Sequence, residues 1–250
     1  MDVRYDEDQT PLHVASQLGR VQAMRSLIDR GANTNAENED RQTPLFLVSR
    51  NGNEAATKLL LRRSASVDHQ DREKRTPLHG ASENGHDSVT KLLLKSRANS
   101  NAKNVYDWTP LHLASRTGKS AVVRILIRWH ADINAQNDFG WTPLHMAAQK
   151  GHREVVKLLL YKNAVVDTPE ARGDTALHLA AYYGHAAIVE LLINHHADVH
   201  MRNKDLKTAL DIAMKEGHED VVRLLEPITE IGEWRDDHRN AGSLSIDKFR

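Results

Sequence analysis

An all-α solenoid of stacked helix–turn–helix units is the architecture this chain encodes, on three observations. A tetrapeptide returns every thirty-three residues. Thr-Pro-Leu-His begins at Thr10, Thr76, Thr109 and Thr142, Thr-Pro-Leu-Phe at Thr43, Thr-Ala-Leu-His at Thr175 and Thr-Ala-Leu-Asp at Thr208. Nine residues after each threonine stands a glycine: Gly19, Gly52, Gly85, Gly118, Gly151, Gly184 and Gly217. After each glycine comes an apolar stripe at helical spacing, as in Val155, Val156, Leu158, Leu159 and Leu160. Self-similarity at this period marks an array whose units cannot fold alone and whose neighbours bury one continuous core. Residues common to every copy hold the array together. A partner is therefore to be sought at the positions that vary.

The copy around residue 137 shows how each element follows from its residues. Asn137-Asp138-Phe139-Gly140-Trp141 is turn-forming. Thr142 is a good N-cap, because its hydroxyl accepts from a free amide of the first turn. Pro143 follows where a missing N–H costs nothing. Leu144, Ala147 and Ala148 give a short helix with a small apolar face. Gly151 ends it, since glycine enters the left-handed region cheaply. The Val155–Leu160 stripe makes a second helix, and Asn163-Ala164 leads to the next turn.

These residues resemble the ankyrin repeat. The resemblance rests on the Thr-Pro-Leu-His opening, on the turns Gly85-His86, Gly151-His152, Gly184-His185 and Gly217-His218, and on the segments at Ala32–Ala36, Ala98–Ala102 and Ala131–Ala135. It implies an ankyrin-repeat solenoid of helix–turn–helix units with short β-hairpin fingers. Seven copies are expected over residues 5–226, at about 5–37, 38–70, 71–103, 104–136, 137–169, 170–202 and 203–226. Residues 227–250 then form a polar, disordered tail containing Trp234, with Pro227 ending the last helix.

Composition narrows the function. The chain holds no cysteine, so it offers no disulfide framework, thiol nucleophile or thiolate metal site. Its longest apolar run, Leu179 to Tyr183, falls far short of a membrane span. The acidic start Met1-Asp2-Val3-Arg4-Tyr5-Asp6-Glu7-Asp8 is unlike a signal or transit peptide. An intracellular protein, cytoplasmic or nuclear, is expected. No phosphate loop, nucleophile elbow or zinc-protease motif occurs, so no catalytic residue, cofactor or enzyme activity is expected. Of the 15 histidines, nine follow the repeat, His13, His79, His112, His145 and His178 in the tetrapeptide and His86, His152, His185 and His218 in the turn, which makes them structural. His196 and His200 straddle a turn with no helix to align them, so no metal site is expected.

Partner-facing positions follow from lining up the copies. The resemblance implies that a partner lies on the fingers and the exposed side of the first helices. Of the 4 Trp, 5 Tyr and 3 Phe, six fall there in three adjacent copies: Tyr106, Trp108, Phe139, Trp141, Tyr182 and Tyr183. Exposed aromatics are the commonest interface anchors. Phe139 and Trp141 could instead pack finger on finger, which would not account for Tyr182 and Tyr183.

Net charge is zero, yet residues 41–130 hold 16 basic against 7 acidic side chains. Arg62, Arg63, Lys95, Arg97 and Arg128 complement helix dipoles at or just beyond second-helix ends. Among the rest, Arg41, Arg72, Lys74 and Arg75 stand out, on the fingers of copies two and three. The expected partner is another protein, presenting an apolar segment with acidic flanks to Trp108, Trp141, Tyr182 and Tyr183 on one continuous face beside those fingers. The chain itself is expected to be monomeric. One alternative is a targeting module of a larger multidomain signalling protein. Another is nucleic-acid binding through the basic fingers of copies two and three, although no recognition motif accompanies the charge.

Stability is expected to differ along the array. The second-helix stripe is complete in copies four to six and weaker before them. Copy one has Ala23, Met24 and Ser26, copy two Ala56 and Thr57, and copy three Thr90. Gly80 sits inside a first helix, at a cost of about 1 kcal/mol relative to alanine. Burial of Ser26 adds to this unless its hydroxyl finds a partner.

Overall fold

A computed structural model describes residues 8–229. Residues 1–7 and 230–250 lie outside it, among them Trp234 and most of the expected tail. The chain forms two compact units, Met1–Ala164 and Val165–Arg250, each taken by itself.

The first unit holds five helix pairs: α1 (Pro11–Gln17) with α2 (Val21–Asp29), α3 (Pro44–Arg50) with α4 (Glu54–Arg62), α5 (Pro77–Asn84) with α6 (Asp87–Lys95), α7 (Pro110–Arg116) with α8 (Ser120–Arg128), and α9 (Pro143–Gln149) with α10 (Arg153–Tyr161). Odd-numbered helices pack on one another in one layer and even-numbered helices in a second. The core between them is leucine and alanine, with Leu45, Leu78, Leu111, Leu126 and Leu159 fully buried. The second unit holds α11 (Ala176–Tyr182) paired with α12 (Ala186–Asn194), then α13 (Ala209–Glu216). A further helical segment runs over residues 219–229. It continues past Pro227, so that proline does not stop the helix. Proline's fixed φ suits a helix, and only one backbone donor is lost.

The repeated tetrapeptide explains each first helix. Every tetrapeptide threonine is an N-cap in extended conformation. Thr10 N–H donates to His13 Nδ1 at 3.1 Å, while His13 N–H donates back to Thr10 Oγ1 at 3.4 Å. Because a backbone N–H can only donate, Nδ1 must be the acceptor and Nε2 must carry the proton. That Nε2 donates to the finger of the next copy: His13 to Gln42 O at 2.9 Å, His79 to Trp108 O at 3.0 Å and His112 to Trp141 O at 2.9 Å. In the second unit His178 reaches Lys207 O at 3.1 Å. One histidine thus caps its own helix and ties down the following finger.

The glycines are required twice over. Gly118 has φ of 71°, and a Cβ there would lie 2.6 Å from His152 Nδ1. The His152 ring packs on that bare glycine and bonds Arg116 O at 2.9 Å. His86 and His218 do the same over Gly52 and Gly184.

Two expectations change. No strand occurs among the described residues, and the fingers are hydrogen-bonded turns. Ser26 is exposed rather than buried. On α2 only Met24 is buried, and Ala23 and Leu27 line an open depression of about 460 Å³ with Pro11, Val14 and Leu18. The burial cost argued for Ser26 therefore does not arise.

Candidate protein-binding surface

In copies three to five each finger is a five-residue turn built on one buried side chain. In copy four Asn104 N–H donates to Trp108 O at 3.1 Å, and Asn104 Oδ1 accepts from Tyr106 N–H at 3.0 Å and Trp108 N–H at 2.9 Å. Asn137 repeats this with Phe139 and Trp141 in copy five, and Asp71 with Glu73 and Arg75 in copy three. The turn forces a left-handed residue just before the last position: Arg41 (φ 60°), Lys74 (φ 57°), Asp107 (φ 59°) and Gly140 (φ 74°). Neighbouring fingers share one backbone bond each, Arg72 N–H to Asp40 O at 3.0 Å, Val105 N–H to Glu73 O at 3.0 Å and Asp138 N–H to Tyr106 O at 3.3 Å. The organising Asn or Asp was not singled out from the sequence. Its signal is there, four residues before the end of each finger, as Asn38, Asp71, Asn104 and Asn137.

This frame places the aromatic residues at two depths. Tyr106 and Phe139, at the finger middles, are 56% and 55% exposed. Trp108 and Trp141, at the finger ends, are half-buried. The Arg116 guanidinium lies 4.6 Å from the Trp108 ring centre and reaches Glu83 Oε1 at 2.5 Å, which clamps the indole. Trp108 Nε1 is buried with no hydrogen-bond partner. Trp141 lies 6.1 Å from the His145 ring. In the second unit Tyr182 and Tyr183 end α11, 46% and 44% exposed, in an edge-on pair at 4.9 Å. Tyr183 also stacks on His185 at 6.2 Å.

Three of the basic finger residues differ in what charge they present. Arg41 pairs with Glu37 at 3.2 Å. Arg75 is held by Asp71 at 2.9 Å and Glu73 at 3.3 Å, over the buried Phe46 ring at 5.7 Å. Phe46 replaces the tetrapeptide histidine here, so a cation–π contact stands where other copies have a hydrogen bond. Lys74 is exposed and makes no ion pair among the described residues.

Electrostatics inside the frame are those of a scaffold. Burial pushes His79 and His112 down to about 4, against the backbone hydrogen bonds to Trp108 and Trp141 that favour the charged form. Both are therefore neutral at pH 7, as the Nε2–H tautomer requires. Among the described residues no group of three or more His, Cys, Asp or Glu could hold a metal ion. No described helix is long and apolar enough to cross a membrane.

A family model for ankyrin repeats, three copies long, matches residues 12–104, 46–137, 96–170 and 162–231. The crystal structure of the human ASB11 ankyrin repeat domain is similar, with a TM-score of 0.79 and 29% identity, covering 86% of this chain and 97% of that one. In all, 624 chains of known structure match, so the resemblance identifies a scaffold common to many proteins rather than one activity. No curated protein matches. With successive family matches running from residue 12 to residue 231 over capped helix pairs, the chain belongs to the ankyrin-repeat family.

Proposed function

We propose that this chain is a non-catalytic adaptor or scaffold, inside the cell, that binds one protein through its fingers and first-helix ends. Ankyrin repeats are protein-interaction modules, and the surface here is suited to that use. The observation that carries the reading is the pair of finger rings, Tyr106 and Phe139, held more than half exposed on turns with every organising bond made. A surface ordered before binding loses little entropy on association. Tyr182 and Tyr183 add a second exposed aromatic pair on α11. The partner offers an apolar segment to the rings and acidic flanks to Lys74 and Arg41.

The test is capture of the partner from the native cell, followed by titration of the purified pair. Tyr106→Ala with Phe139→Ala leaves folding intact, because both rings are exposed, and is expected to weaken binding by about tenfold or more. Tyr182→Ala with Tyr183→Ala is expected to act likewise. A partner that binds both variants as tightly as the unaltered chain would exclude this surface.

A further inference from the structure

Most of the unpaired positive charge of the first unit lies on its second helices and the turns after them, although Arg72 and Lys74 on one finger are also exposed and make no ion pair among the described residues. On the fingers and first helices Arg41, Arg75, Lys103 and Arg116 sit on Glu37, Asp71, Asp107 and Glu83. On the second helices and the turns that follow them, copies two to four carry eight cations, and only Arg63 is paired, with Asp29 at 2.7 Å. The unpaired ones are ordered. Arg25, Lys58, Lys91, Arg124 and Lys157 occupy the same position of α2, α4, α6, α8 and α10, all exposed. A second row, Arg62, Lys95 and Arg128, stands one helical turn further on, also exposed. Helix dipoles account for the second row, which lies in last turns, but not for the first, which is mid-helix. With helix axes about 8–10 Å apart, the first row runs for about 30–40 Å. In copy six Glu190 takes this position.

Two aromatic residues not singled out from the sequence border these rows. Trp129, just beyond α8, is 41% exposed, and Tyr161, ending α10, is 74% exposed. Lys162 Nζ lies 5.1 Å from the Tyr161 ring centre.

We infer that the second-helix layer of the first unit binds single-stranded nucleic acid. The cations form a line that a phosphodiester backbone can follow, and Trp129 and Tyr161 supply faces on which unpaired bases stack. An acidic protein segment fits less well. One turn before the first row the exposed surface is small or polar, at Ala55, Ser88 and Ala121, and gives such a segment no apolar seat there. A phosphate backbone needs none, because its affinity comes from counterion release. This inference is independent of the protein-binding surface and places a second ligand on a different layer.

Fluorescence anisotropy with a labelled oligouridylate of about 15 nucleotides tests it, on the full chain across a salt series. Five phosphate contacts predict a log–log salt slope near −3.5. The triple variant Lys58→Glu, Lys91→Glu, Arg124→Glu is expected to flatten that slope by about 2 and to weaken binding by about 30-fold or more. Should it fail to fold, the glutamine triple at the same positions is measured instead. Trp129→Ala with Tyr161→Ala is expected to cost about tenfold with the slope unchanged. Arg41→Ala with Lys74→Ala is expected to bind as the unaltered chain does. Duplex DNA bound as tightly as the single strand would overturn the inference. So would oligonucleotide binding lost in the finger variant but kept in the triple variant. So would the absence of oligonucleotide binding, including the case where phosphatidylserine vesicles bind instead.

Discussion

Thr57 and Thr90 interrupt the apolar stripe of their helices at the same position, both fully buried, and the structure separates them. Thr57 Oγ1 donates to Asn53 O at 2.8 Å, whereas Thr90 Oγ1 has no partner. Thr90→Val should therefore stabilise the chain by about 1 kcal/mol, and Thr57→Val should not, as urea titration will show. Ser16, Ser49, Ser82 and Ser115 also bury unpartnered hydroxyls, at the position where later copies have Ala148 and Ala181. Sequence alone locates all these residues but not which hydroxyls find a partner, since that depends on neighbours in space. The histidines are a similar case. Their structural role is legible from the period, but their neutral state is set by burial. Between pH 6.5 and about 4 the unfolded chain binds protons that His79 and His112 do not bind when folded. Stability contributed by these two is complete above pH 6.5 and falls as pH drops to about 4, by roughly 3 kcal/mol for each. Urea midpoints measured from pH 7 to pH 4 should fall accordingly. A flat profile would mean that these rings take up protons in the folded state.

Each helix was legible to within a residue or two because capping threonine, first-turn proline and terminal glycine are local chemistry. The inter-helix turns carry a requirement beyond conformation. Gly118→Ala meets both a positive φ and the His152 ring, while Gly31→Ala, at φ 89° with nothing within 4 Å of a new Cβ, meets strain alone. Thermal melts should show the larger loss for Gly118→Ala, by about 1 kcal/mol or more. The fingers were expected as short hairpins and are side-chain-closed turns, because one Asn or Asp supplies the acceptor that a strand pair would otherwise need. Ser26 was misplaced because a stripe position is buried only if a neighbour covers it, and in α2 Met24 alone is covered.

Protection should vary along the chain. α2 buries one side chain, α6 buries an unpartnered hydroxyl, and α10 buries Val155, Val156, Leu158, Leu159 and Leu160. Stability in repeat arrays is roughly a sum of unit and neighbour terms, so amides of α2 should exchange fastest and those of α10 slowest. Faster exchange in α10 than in α2 would contradict this ordering. The division of labour between layers is the larger issue. Fingers and first-helix ends carry exposed rings with mostly neutralised cations, and second helices carry unpaired cations. The family resemblance set the fingers as the expected partner side, while the neutralising ion pairs and the exposure of Trp129 and Tyr161 needed coordinates. Hydrogen exchange of the free chain against its complex with the captured protein decides which layer that protein uses. Slowed exchange should appear at residues 104–108, residues 137–141 and the end of α11, with α4, α6 and α8 unchanged. Protection confined to the second helices, with the fingers exchanging as in the free chain, would contradict binding through the finger surface.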